Sequence, residues 1–295
     1  MHMQTASPLV SLILSLFSVI LPTKMWFGPS QPITVRVDSK TPTSFVLTKF
    51  DGTVIATKDA PEGDATADLR TLYPDLSSVG TYVLFAVPRG KGVDAFLGTP
   101  VVIEVLADKM QAGAEVVKLK PLQYEVMTTA AGPMTMAFYY DVAPNTVDSF
   151  LRLSSEGYYD GLTFHRILPG FVIQGGDPKG DGTGGPGYSV NAEFNPQPHK
   201  EGVLSMARSD DVNSAGSQFF VCLGYEKTQQ LDGKYTTFGK VIEGMGAVGK
   251  IAATPLKDAE AGTPASTQTI DKAEVFPVTP GHNPYAALGL GAPAK

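Results

Sequence analysis

The sequence predicts a mainly β protein. Thirty-one glycines and 23 prolines in 295 residues make the chain rich in turns. Its apolar residues mostly alternate with polar ones, or fall in short runs bounded by turn residues, which is the strand pattern. With 43% hydrophobic and 18% charged residues, the chain has the composition of a protein that buries a core. The length suits one large domain or two ordinary ones. A net charge of −6, with no lysine or arginine cluster, favours solubility and argues against a general nucleic-acid binder. The single cysteine, Cys222, rules out an intramolecular disulfide and argues against a cysteine metal site. Lying between Val221 and Leu223, it reads as a small buried hydrophobe.

The N-terminal residues 1–24 form a first region. Leu9 to Leu21 is apolar apart from serines, too short to span a bilayer and closer to the core of an export signal or a short membrane anchor. This predicts a protein of the cell envelope, periplasm or exterior. A start at Met25 would instead give a cytoplasmic protein.

Residues 31–107 read as a small β-sandwich, with an immunoglobulin-like arrangement as one form of it. Ile33-Thr34-Val35-Arg36-Val37-Asp38 alternates as a half-buried strand does. Phe45 to Phe50 leads through Asp51-Gly52, a hairpin signal, into Val54-Ile55-Ala56. Tyr82–Val87 and Val101–Leu106 read as two more strands. The charged residues here are scattered and suggest no chemistry. Residues 108–120 read as a linker, and 279–295, rich in Gly, Ala and Pro, as a disordered tail.

Between them lie three informative runs. The first is Phe164-His165-Arg166-Ile167-Leu168-Pro169-Gly170-Phe171-Val172-Ile173-Gln174-Gly175-Gly176-Asp177. The second, Gly202-Val203-Leu204-Ser205-Met206-Ala207-Arg208, leads to Ser217-Gln218-Phe219-Phe220-Val221. The third runs from Leu231-Asp232-Gly233-Lys234-Tyr235 to Val241. A helix is predicted from Pro144 or Asn145, with Val147, Phe150 and Leu151 on one face and Gly157 as its stop. A second covers Met245 to Ala252, with Met245, Val248 and Ile251 or Ala252 inward.

In this order and spacing the three runs resemble the cyclophilin family of peptidyl-prolyl cis/trans isomerases, over residues 121–278. The resemblance implies a closed eight-stranded β-barrel capped by two helices and an enzyme that speeds rotation about X-Pro bonds, assisting protein folding. It implies Arg166, Phe171 and Gln174 as catalytic residues. Val172, Ala207, Arg208, Gln218, Phe220, Leu231 and Tyr235 would bind substrate. The partners implied are proline-containing polypeptides, with no metal; the charge balance argues against nucleic acid, and docking of an unidentified partner by the N-terminal domain is a separate possibility that the sequence does not decide.

The chemistry is consistent with those residue types. Rotation about an X-Pro amide faces a barrier of roughly 18–20 kcal/mol because resonance keeps the bond planar. No bond is made or broken, so no cofactor is needed. In the twisted amide the proline nitrogen carries a localised lone pair, to which a fixed guanidinium donates only in that state. The same residues would also suit a proline-gripping chaperone-like module without catalysis, which is the alternative reading.

Three features depart from this picture. Gly180-Asp181-Gly182-Thr183-Gly184-Gly185 satisfies G-x-G-x-x-G, but Pro186-Gly187 follows where a dinucleotide site needs a helix; it reads as a loop beside the groove. The four histidines, His2, His165, His199 and His282, are dispersed, and His165 reads as structural. Gln230 stands where many cyclophilins have tryptophan, which puts cyclosporin binding in doubt.

Overall fold

A computed structural model describes residues 19–62, 65–108 and 114–292. The chain divides into two compact units: residues up to Gln123 together with those from Pro277 onward, and Tyr124–Phe276.

The first unit begins with β1 (Ile20–Pro22), β2 (Trp26–Phe27), β3 (Thr34–Val37), β4 (Thr43–Lys49) and β5 (Val54–Asp59). It continues with β6 (Thr66–Asp68), a single helical turn α1 (Leu69–Leu72), β7 (Gly80–Pro88), β8 (Leu97–Ala107) and β9 (Glu115–Pro121). Two antiparallel sheets, ordered β1-β3-β6 and β2-β9-β8-β7-β4-β5, share one apolar core in which Ile33, Val35, Phe45, Leu47, Leu84 and Ile103 are buried. The alternation of β3 holds: Val35 and Val37 point inward while Arg36 is exposed. The predicted sandwich is therefore present, but its strand order differs from the immunoglobulin one, because β7, β8 and β9 follow one another in a single sheet.

Three predicted boundaries need correction. Residues 108–120 are not simply a linker, since Glu115–Pro121 is β9 and pairs along its length with β8. Residues 279–292 are not a disordered tail. Pro284–Leu288 forms a 3-10 turn, Tyr285 is fully buried, and its hydroxyl donates to the Gln123 carbonyl at 2.6 Å. One tyrosine and one leucine (Leu290, 1% exposed) order a segment whose Gly/Ala/Pro composition reads as disordered. The Asp51-Gly52 hairpin turn lies directly beneath it: a Cβ on Gly52 (φ +87°) would meet the Gly289 carbonyl oxygen at 2.4 Å. The signal-like segment 1–24 lies outside the described residues as far as residue 18. Its end is part of the sandwich, because Ile20, 1% exposed, pairs with Val37.

The second unit holds β10 (Gln123–Thr129), β11 (Gly132–Phe138), α2 (Pro144–Ser155), β12 (Arg166–Leu168), β13 (Val172–Gly175), β14 (Val203–Met206) and β15 (Phe219–Cys222). After these come α3 (Tyr225–Thr228), β16 (Thr237–Glu243), α4 (Met245–Ala252), the short pair β17 (Leu256–Asp258) and β18 (Thr263–Pro264), and β19 (Ile270–Pro277). Eight strands form one curled sheet in the order β12-β13-β15-β14-β16-β11-β10-β19. Residues 161–164 join its two ends. Thr163 bridges both Asp177, beyond β13, and Thr269, before β19, and the Phe164 amide donates to Gln268 at 2.8 Å.

The two predicted helices pack on this sheet. α2 buries Val147, Phe150 and Leu151. The Phe150 ring lies 5.0 Å from Phe238 and edge-on to Phe219 at 5.3 Å. Burying such a ring contributes about 1.5–3 kcal/mol. Gly157 ends the helix at φ +73°, a conformation glycine adopts without strain. α4 buries Ala247, Val248 and Ile251, with Met245 only half-buried.

Candidate active site

β12 and β13 are antiparallel neighbours, and their register sets Arg166 opposite Gln174. On the other side of β13, Gln174 pairs with Phe220 of β15. Three strands thus place a cation, an amide and an aromatic ring in one row. The Pro169-Gly170 turn delivers Phe171 beside them, and the segment after α3 brings Leu231 and Tyr235 across. Together with Val172, Ala207 and Arg208, these residues enclose one cavity of about 200 Å³. Nine of the ten residues predicted for the site therefore line a single hollow. The tenth, Gln218, lines the adjoining groove, which shares Gln174, Ala207 and Arg208 with it.

The walls are held from several sides. Arg166 Nη1 donates to Gln174 Oε1 at 3.3 Å, and Gln174 Nε2 donates to Gln218 Oε1 at 3.0 Å. Gln218 Nε2 in turn donates to the Gly182 and Gly184 carbonyls, both at 2.9 Å. Phe220 meets the Tyr235 ring edge-on at 6.0 Å. The Arg208 guanidinium lies 4.6 Å from the centre of the Tyr235 ring and donates to the Ser209 carbonyl at 2.7 Å. Its side chain is thereby tied to the pocket wall. Cys222, fully buried behind Val172 and Phe220, has its thiol pushed up to about 12 by burial. It is a packing residue.

The unit that carries this hollow has counterparts among known proteins. The family model "Cyclophilin type peptidyl-prolyl cis-trans isomerase/CLD" matches residues 124–275, the second unit almost end to end. The chain belongs to the cyclophilin family.

Its relatives include the peptidyl-prolyl cis-trans isomerase of Synechococcus elongatus, 51% identical over 115 residues, covering 39% of this chain and 77% of the relative. Peptidyl-prolyl cis-trans isomerase B of Bacillus subtilis is 51% identical over 109 residues, covering 36% and 74%. A solved Cryptosporidium parvum cyclophilin, determined in the presence of the dipeptide ala-pro, is 31% identical over 52% of this chain and 98% of its own, with a TM-score of 0.49. By the family match and these named relatives, the Tyr124–Phe276 unit is a peptidyl-prolyl cis/trans isomerase of the cyclophilin type.

Other residues of the cyclophilin unit support the site without having stood out in the sequence. His199 is fully buried, with its ring stacked at 6.1 Å from Phe220. Its Nδ1 lies 2.8 Å from Asp232 Oδ1 and its Nε2 3.1 Å from Ser205 Oγ. Burial holds the imidazole below its ordinary pKa despite the carboxylate. Burial also opposes the charge on Asp232, but hydrogen bonds from His199 and Tyr225 more than offset it and keep that carboxyl below its usual range. His199 thus braces the back of the pocket wall. His165 is only half-buried and likewise falls below its ordinary value through burial, in keeping with a structural role.

Asp177 is 1% exposed and accepts from the backbone amides of Lys179, Asp181 and Gly182. It therefore organises the glycine-rich loop, in which no helix begins. A Cβ on Gly184 would sit 2.0 Å from Asp177 Oδ1, so the glycine lets the loop close over the carboxylate. The G-x-G-x-x-G resemblance is thus a loop wrapped around an aspartate, with no helix N-terminus for a pyrophosphate. Glu193 caps α2 from a distant loop, accepting from the amides of Asn145 at 3.1 Å and Thr146 at 2.8 Å. Only the acidic residue types signalled these roles, since the partners of Glu193 lie tens of residues away.

Proposed function

We propose that the cavity receives the proline ring of a polypeptide substrate and that Arg166 is the donor to the proline nitrogen as the amide twists. Phe171, Val172, Phe220, Leu231 and Tyr235 form the apolar slot. Gln174, Gln218 and the backbone at Ala207–Arg208 hold the substrate chain. The donor is worth most when the amide has lost its resonance, so it stabilises the transition state more than the planar forms. Apolar walls exclude water and strengthen that contact.

The observation that supports this reading is the shared cavity: Arg166 lines the same hollow as Phe171 and Phe220, and Gln174 steadies its guanidinium. A module that only gripped proline would have no use for a donor held there. Exchange spectroscopy on a short X-Pro peptide separates the two readings. The isomerase reading expects exchange far faster than the uncatalysed tens to hundreds of seconds. Binding without a rate gain would select the chaperone-like module.

The physiological role that follows is assistance to protein folding, with proline-containing chains as clients. We place the protein at the cell envelope, held by the apolar run before β1. Proteolytic removal of that run has to stop short of Ile20, which the sandwich core needs.

A further inference from the structure

Arg166 opens a strand of three residues. That strand, β12, lies at one end of the curled sheet and neighbours only β13 in it. A strand in that position leaves one row of its backbone groups without a sheet partner. The bond from Arg166 to Gln174, at 3.3 Å, is longer than the usual N–H···O range and steadies only the tip of the side chain. A donor that must meet a twisted amide needs a second restraint nearer its root.

The β17–β18 hairpin supplies one. The Gly262 carbonyl accepts from the Ile167 amide at 2.7 Å, on the open side of β12. Leu256 pairs with Pro264 and Asp258 with Thr263. The Ala265 amide closes the base of the hairpin by donating to the Pro255 carbonyl at 2.7 Å. At the tip, Asp258 Oδ1 accepts from the amides of Glu260 at 3.0 Å and Ala261 at 2.9 Å. Of the described residues from Ala253 to Thr269, Gly262 alone is buried.

It is buried against the donor's own strand. A Cβ on Gly262 would lie 3.2 Å from Arg166 Cγ, 2.7 Å from the Ile167 carbonyl oxygen and 2.9 Å from Leu168 Cδ2. The residue also sits at φ +75°, where glycine carries no strain. Conformation and room therefore both demand glycine, and the room is that of the Arg166 stem. Gly262 is not among the residues that line the proline cavity, so any effect on turnover passes through Arg166.

We propose that Gly262, on the β17–β18 hairpin, is a positioning residue for the isomerase reaction: its backbone clasps β12, and its missing side chain sets where the Arg166 stem lies. This rests on the reading of Arg166 as the donor.

The test is steady-state kinetics on an X-Pro peptide with Gly262→Ala, Arg166→Ala and the double variant, all in the full chain. Misplacing a reacting group by about 1 Å costs up to about 100-fold. Gly262→Ala should therefore lower kcat about tenfold with KM unchanged. In the Arg166→Ala background the same change should be silent, because the group it positions is gone. Asp258→Ala loosens the exposed tip without touching the strand. It should give a smaller fall in kcat, about threefold, with the same silence, and it decides the matter where Gly262→Ala fails to fold. Unchanged kcat, a change in KM alone, or an equal loss in both backgrounds would overturn the positioning role and leave the donor standing. Full turnover in Arg166→Ala by itself would overturn both.

Discussion

The two units close their folds with different materials. The sandwich relies on apolar residues, and its final piece comes from the far end of the chain, with Tyr285 edge-on to Phe50 at 6.0 Å. Its buried Glu104 is handled locally, by Lys118 directly opposite at 3.6 Å and by Lys120 on the same neighbouring strand. The cyclophilin unit instead buries Asp177, His199 and Ser217, and the last two are bonded to segments distant in sequence. A cross-strand ion pair keeps one sheet in register, whereas a polar network between loops and strands holds walls around a cavity.

Three changes would break or sharpen this contrast. The largest effect is expected from Tyr285→Ala, which removes a fully buried ring and its bond to the Gln123 carbonyl. It should destabilise the sandwich by about 3–5 kcal/mol, seen in chemical denaturation, while peptide isomerisation at low temperature stays unchanged. Loss of turnover would mean that the sandwich is part of the catalytic machinery.

Glu125 sharpens the comparison with Glu104. It is fully buried, accepts from Ser154 Oγ at 2.6 Å, and its other carboxylate oxygen has no hydrogen-bond partner among the described residues. Burial, aided by the negative field of Asp160, pushes its carboxyl to about 8 despite Ser154. The folded state therefore keeps a proton that the unfolded chain releases near its ordinary value. Stability is fully present at acidic pH and falls as pH rises from the unfolded value through about 8. Glu125→Gln should flatten that decline and gain on the order of a few kcal/mol at alkaline pH, since each tenfold change in acidity is worth about 1.4 kcal/mol. An unchanged pH profile of unfolding would show that Glu125 ionises without cost.

Asp177→Ala should cost about 1.5–3 kcal/mol for the lost charge-assisted bonds. The loop carrying Gly182 and Gly184 would then release Gln218. KM for a proline peptide should rise more than kcat falls, because the loop fixes Gln218, to which the proposal gives a substrate-holding role and no chemistry. A fall confined to kcat would contradict that division.

Much of the catalytic unit could be read from the sequence because its residues lie on short strands with strong local patterns. The register Arg166–Gln174–Phe220 follows once β12, β13 and β15 are adjacent, and the stripe of α2 is visible as Val147, Phe150 and Leu151. What escaped the sequence was long-range. Glu193 caps a helix from 47 residues away at Thr146, and His199 reaches Asp232 across 33 residues. β9 looked like a connector because its Val-Lys alternation is short and charged, yet in the sheet its lysines face Glu104. The C-terminal segment looked disordered because composition averages over the two side chains that fasten it.

The central claim is that Arg166 rewards the twisted amide and not the bound peptide. Steady-state kinetics of Arg166→Ala on an X-Pro peptide test it most directly. Removing one preorganised transition-state donor should lower kcat by about 10²–10³, with KM nearly unchanged and the circular dichroism spectrum intact. A variant that keeps full kcat, or that loses only affinity, would contradict the mechanism.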